Sequence, residues 1–97
     1  MAKYILLMTW TDQGIKTVTD SPKRLDAGKA LAKTFGCEIE KFYMTIGAHD
    51  MALVLDGPTD DAVAKFVLSL AKLGNVRTTT LKAFTEDAYR AIMGALA

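Results

Sequence analysis

The stretch EIEKFYMTIGAHDMALVLD, Glu38–Asp56, decides the fold. It reads as two strands joined at Gly47-Ala48-His49-Asp50. Ile39, Phe42, Tyr43, Met44 and Ile46 fill the first run, and Met51, Leu53, Val54 and Leu55 the second. Apolar runs broken by a short Gly-containing segment signal a β-hairpin. Apolar residues occur at both parities, so the second face of this hairpin needs a cover as well as the first.

Upstream, Lys3–Trp10 is another nearly continuous apolar run and reads as a strand. Tyr4, Leu6, Met8 and Trp10 share one parity; Ile5 and Leu7 share the other. Thr11-Asp12-Gln13-Gly14 breaks the pattern with turn residues, and Ile15–Thr19 reads as a short irregular crossing. A helix follows from about Pro22 to Phe35, with Ser21 as its hydroxyl cap and Gly36 as its terminator. Leu25, Gly28, Leu31, Ala32 and Phe35 form its apolar face. Gly28 costs that helix roughly 1 kcal/mol of propensity, which a close approach to the sheet would explain.

Downstream, Gly57-Pro58-Thr59 punctuates, and Thr59 caps a second helix from about Asp60 to Leu73. Its stripe is Val63, Phe66, Val67, Leu70 and Leu73. Gly74-Asn75 stops it, Val76–Phe84 reads as a fourth strand, and Thr85 opens a last helix to about Leu96. That last helix carries Ala88, Tyr89, Ile92, Met93 and Leu96 on one side and must dock on something. Strand, helix, hairpin, helix, strand is the split βαβ pattern, so an α+β ferredoxin-like plait (β-α-β-β-α-β) with a C-terminal helix is expected over residues 1–97 as one domain. Right-handed crossovers put both helices on one sheet face. The other face, bearing either Tyr4/Leu6/Met8/Trp10 or Ile5/Leu7, is then left open. An open apolar face calls for a second subunit, or for the C-terminal helix folded over it. A homo-oligomer, a dimer or higher, is the expectation.

Bulk composition agrees and narrows the function. The chain of 97 residues is 51% hydrophobic and 24% charged, with 12 basic against 11 acidic residues and a net charge of +1. That balance favours neither nucleic acid nor an anionic membrane. A mean hydropathy of +0.17 suits apolar surface that a partner covers. The apolar run Tyr4–Trp10 is too short for a secretory signal or a membrane span, so a cytoplasmic location is the expectation. Cys37 is alone and reads as a buried small hydrophobe.

At Thr9–Ile15 (TWTDQGI), Asp20–Gly36, Lys41–Pro58, Lys65-Phe66 and Leu73–Tyr89 the chain resembles the GYD-domain proteins of bacteria and archaea. The resemblance spans nearly the whole chain. It implies a ferredoxin-like or dimeric α/β-barrel protein and supplies no reaction. His49 stands where the family's naming segment has its tyrosine, which leaves any role of that hydroxyl without a counterpart here.

Five residues are the candidates for a ligand site. Histidine is the side-chain type suited to proton transfer near neutral pH and Asp50 could orient His49, although the pair reads first as turn residues, with Asp50 bonding the turn backbone. Trp10 and Tyr43 could line a pocket with a polar tip, or serve only in packing. Arg24, near the start of a helix, suits an anion, or forms part of a solvated basic face. No catalytic motif, metal cluster or nucleotide loop is present, so neither cofactor nor metal is expected. The residues support two functions: a homo-oligomeric domain binding a small apolar or anionic ligand or a protein, and, as the alternative, a cofactor-independent monooxygenase or isomerase of the dimeric α/β-barrel type. The two part on whether a cavity exists with His49 or another ionisable group aimed into it.

Overall fold

A computed structural model describes all residues, Met1–Ala97. The elements are β1 (Ala2–Trp10), α1 (Asp12–Lys16), a 3-10 turn (Val18–Asp20), α2 (Ser21–Thr34), β2 (Glu38–Met44), β3 (Met51–Gly57), α3 (Asp60–Ala71), β4 (Val76–Ala83) and α4 (Glu86–Gly94). The four strands form one antiparallel sheet in the order β2-β3-β1-β4. This is the ferredoxin-like plait the element order predicts.

Register fixes which parity faces which way. Tyr4, Leu6 and Met8 pair with Leu55, Leu53 and Met51, and all six are buried beneath the helices. Ala32 of α2, Cys37 just before β2, and Val63 and Phe66 of α3 complete that core. Burying side chains of this size contributes about 1.5–3 kcal/mol each. Ile5 and Leu7 therefore take the opposite face, beside Val54 and Ala52 of β3 and Leu81 and Thr79 of β4. No element of the chain covers that face, and Leu81 is 46% exposed there.

Within the opening hairpin the two strands differ. β3 is an inner strand with alternate residues fully buried, while β2 is the sheet edge and has no fully buried residue. A bulge at Glu40 explains the mixed parity of β2. Ile39 and Phe42, three apart, both lie opposite buried β3 residues, Leu55 and Leu53. Tyr43 pairs with Ala52 and so belongs to the open face.

Several local expectations are corrected. Thr11–Gly14 is not a plain turn: Thr11 caps a short helix, its hydroxyl accepting from the Gly14 N–H at 3.0 Å. The crossing after it is helical too, so α2 is entered from a 3-10 turn and Ser21 already has helical dihedrals. Ser21 is accordingly no cap; Asp20 holds that position and makes no capping bond with its side chain. Gly28 does not approach the sheet closely. A methyl there would find its nearest atom, Leu70 Cδ1, at 3.9 Å. The far end of α2 closes as expected, with Gly36 at φ +74° and the N–H groups of Gly36 and Cys37 reaching back to Lys33 and Ala32. Thr59 and Thr85 both cap, accepting from Ala62 and Ala88 at 3.1 and 3.2 Å.

The C-terminal helix does not fold over the open face. α4 packs against no other element to more than marginal extent, and Tyr89, Ile92, Met93 and Leu96 are all exposed. The molecule is accordingly long for its size, 52 × 30 × 17 Å.

Candidate functional site

Between α2, α3 and the sheet lies an apolar cavity of about 270 Å³. Its floor is Met8, Met51, Leu53 and Phe42 from the strands; its roof is Leu25, Leu31, Phe66 and Leu70 from the helices. Gly28 lies on the roof, and its missing side chain leaves part of the space open. Trp10 and Arg24 are both in the wall, with Ser21 and Asn75. Of the 17 lining residues 13 are hydrophobic, and Arg24 is the only one with a charge.

Arg24 is held rather than waving in solvent. Its guanidinium donates to the Thr17 carbonyl at 3.3 Å, to the Thr17 hydroxyl at 3.0 Å and to the Gly14 carbonyl at 3.0 Å. These three bonds leave at least two of its five N–H donors unused. None of the chain's four ion pairs includes it. Trp10 contributes a second orphan: its indole Nε1 is buried with no hydrogen-bond partner. A buried donor without an acceptor costs about 1–3 kcal/mol, so such a group is worth explaining.

The wall that carries these groups is pinned by the segment after β1. Thr11 donates its hydroxyl to the Gly74 carbonyl at 2.6 Å, and its N–H to the Asn75 carbonyl at 3.1 Å. Gln13 Nε2 donates to the Leu73 carbonyl and to Asn75 Oδ1 at 3.2 and 3.0 Å. Gly14 is in such close contact that a Cβ there would sit 2.0 Å from the Asn75 carbonyl oxygen.

The other three sequence candidates lie elsewhere. Asp50 has a bonding role behind the cavity: Oδ2 accepts from the Trp10 N–H at 3.0 Å, completing the end of β1 where the β3 partner has run out. Its own N–H donates to the Met8 carbonyl at 2.9 Å. His49 is half-buried in the loop, its carbonyl taking the Thr45 hydroxyl at 2.6 Å, and it is not in the cavity wall. Tyr43 is exposed on the open sheet face. The structure thus brings Trp10 and Arg24 together, supports Trp10 with Asp50, and separates His49 and Tyr43 from them.

Two features escape a sequence reading. Asn75 reads only as a helix stop, yet it lines the cavity and receives the Gln13 clamp. Tyr4 reads only as a strand residue, yet its hydroxyl bonds Asp60 at the start of α3, which Lys82 of β4 also holds, at 3.1 Å. The bond to Asp60, with burial, pushes the Tyr4 phenol up to about 12. The same bond, with the Lys82 ammonium, lowers the Asp60 carboxyl. Cys37 is buried, which pushes its thiol up and leaves it a packing residue. No group of three or more His, Cys, Asp or Glu side chains could hold a metal ion, and no helix is long and apolar enough to cross a membrane.

The GYD domain model matches residues 4–93. The chain is 33% identical over 84 residues to the glutamine synthetase and cystathionine beta-lyase binding protein of Thermus thermophilus, covering 86% of this chain and 88% of that one. Among solved structures it is similar to MtbAldR, with a TM-score of 0.68 at 12% identity over 88% of this chain and 52% of that one. It therefore spans about half the length of MtbAldR. It is also similar to FFRP-DM1, with a TM-score of 0.61 at 17% identity over 87% of this chain and 100% of that one. At these identities the two structures speak for the fold alone.

Proposed function

The chain belongs to the GYD domain family, and from that premise we propose that it acts as a small homo-oligomeric protein-binding domain with no catalytic centre of its own. The observation that carries this is the uncovered apolar surface. Ile5, Leu7, Val54 and Leu81 lie together on one sheet face, and α4 with the residues after it presents Tyr89, Ile92, Met93 and Leu96 to solvent. A soluble monomer rarely keeps two such surfaces open. A second copy laid sheet to sheet covers the first by two-fold symmetry, and α4 remains for a partner. The Thermus thermophilus relative is a protein that binds other proteins, which supports the same role here.

The enzyme alternative has a cavity but lacks a base. The only ionisable group in its wall is Arg24, whose guanidinium offers N–H donors and no acceptor to take a proton. His49, the residue best suited to acid–base work, is outside it.

A direct test is to titrate the protein against glutamine synthetase and cystathionine beta-lyase from its own host, following complex formation by calorimetry. Saturable binding to either, weakened when Ile92 and Met93 are replaced by Ser, supports the proposal. An absence of binding to both removes the protein-binding role.

A further inference from the structure

Beyond protein binding, the geometry points to a ligand site in the cavity under α2 and α3, for a small monocarboxylate with a compact apolar body. Two observations converge. The cavity is about 270 Å³ and almost wholly hydrophobic, while a dry cavity of about 150 Å³ already takes benzene. By proportion this one holds about ten non-hydrogen atoms. Its single charge is the Arg24 guanidinium, pre-oriented by Thr17 and Gly14, with N–H donors to spare and no carboxylate of the protein beside it. Trp10 stands in the same wall, with its indole Nε1 covered by protein atoms.

What the wall lacks sharpens the chemistry. It offers donors and one positive charge, and no Asp or Glu. A carboxylate therefore meets a half-buried planar fork that binds it in two places by charge-assisted bonds. A zwitterionic amino acid would leave its ammonium unpaired among hydrocarbon side chains, and is selected against. A neutral ligand would leave the guanidinium uncompensated. This selection sets the site apart from the open sheet face and α4, which carry the protein-binding proposal.

Trp10 is the only tryptophan, so its emission reports on the cavity alone. The full chain is titrated with phenylacetate, phenylacetamide and L-phenylalanine. Phenylacetate is expected to shift the emission saturably, and the amide and the amino acid to bind about tenfold more weakly or worse. Arg24→Gln is expected to weaken phenylacetate about tenfold or more. Because that change also releases the tether to Thr17 and Gly14, a second variant leaves the tether intact. Gly28→Leu fills the cavity from α2, where a Cβ fits without a clash, and should abolish the response while circular dichroism and the urea midpoint stay at or above the parent's. A flat titration with phenylacetate overturns the inference. Equal binding of acid and amide does so too, as does an unchanged response in Gly28→Leu. None of these results bears on complex formation with a protein partner.

Discussion

At the scale of single residues, the chain places polar groups where they hold backbone rather than perform chemistry. Asp50 is the clearest case. Beside His49 it suggests an acid–base pair, but its carboxylate is engaged with the Trp10 N–H. The sequence could not show this, because residues 40 apart in the chain meet only once β1 and β3 are in register. Tyr4 and Asp60 make a sharper prediction. The Tyr4 phenol is raised in the fold, so its contribution is fully present below the unfolded value of about 10 and is lost as pH rises towards 12. Asp60 is lowered, so its contribution is present above its ordinary value and fades as pH falls through the folded one. Tyr4→Phe should cost about 1 kcal/mol near neutrality. It should also flatten the alkaline loss of stability, as urea unfolding at several pH values will show. Gly14→Ala tests the wall of the cavity. Its methyl would drive into the Asn75 carbonyl, so a loss of about 2–3 kcal/mol is expected by thermal unfolding.

At the scale of elements, the local rules succeed where one residue decides and fail where two elements decide. Thr59, Gly36 and Thr85 behave as their types predict, since a cap is a contact within one turn. Thr85→Ala removes such a bond from a helix with no packing partner. In a monomeric variant it should reduce helicity by circular dichroism and leave the global unfolding midpoint in place. The segment Thr11–Asp20 is helical against expectation because its polar groups are satisfied from outside. Arg24 donates to the Thr17 and Gly14 carbonyls, and Thr11 and Gln13 reach the loop at Leu73–Asn75. The Glu40 bulge is a further example. The mixed parity of Glu38–Met44 is visible in the sequence, but not the single extra residue that reconciles it with one buried face. Of the five candidate residues named from the sequence, Trp10 and Arg24 line the cavity; the cavity itself arises from the separation of α2 and α3, which no residue pattern encodes.

At the scale of the whole molecule, the sheet has one covered face and one open face, and register decides which residues bear the exposure. Ile5 and Leu7, with Val54, Leu81 and Tyr43, form the open side. Lys3 sits at one border of it, paired with Asp56 and Glu40. That polar margin around an apolar centre is how protein interfaces are commonly built. Sheet-to-sheet pairing is the central claim, and sedimentation equilibrium of the parent protein beside a Leu7→Lys, Val54→Lys double variant tests it most directly. The account predicts a parent that is dimeric or larger at micromolar concentration, and a variant that is monomeric with its circular dichroism spectrum retained. A parent that sediments as a monomer at that concentration would contradict it.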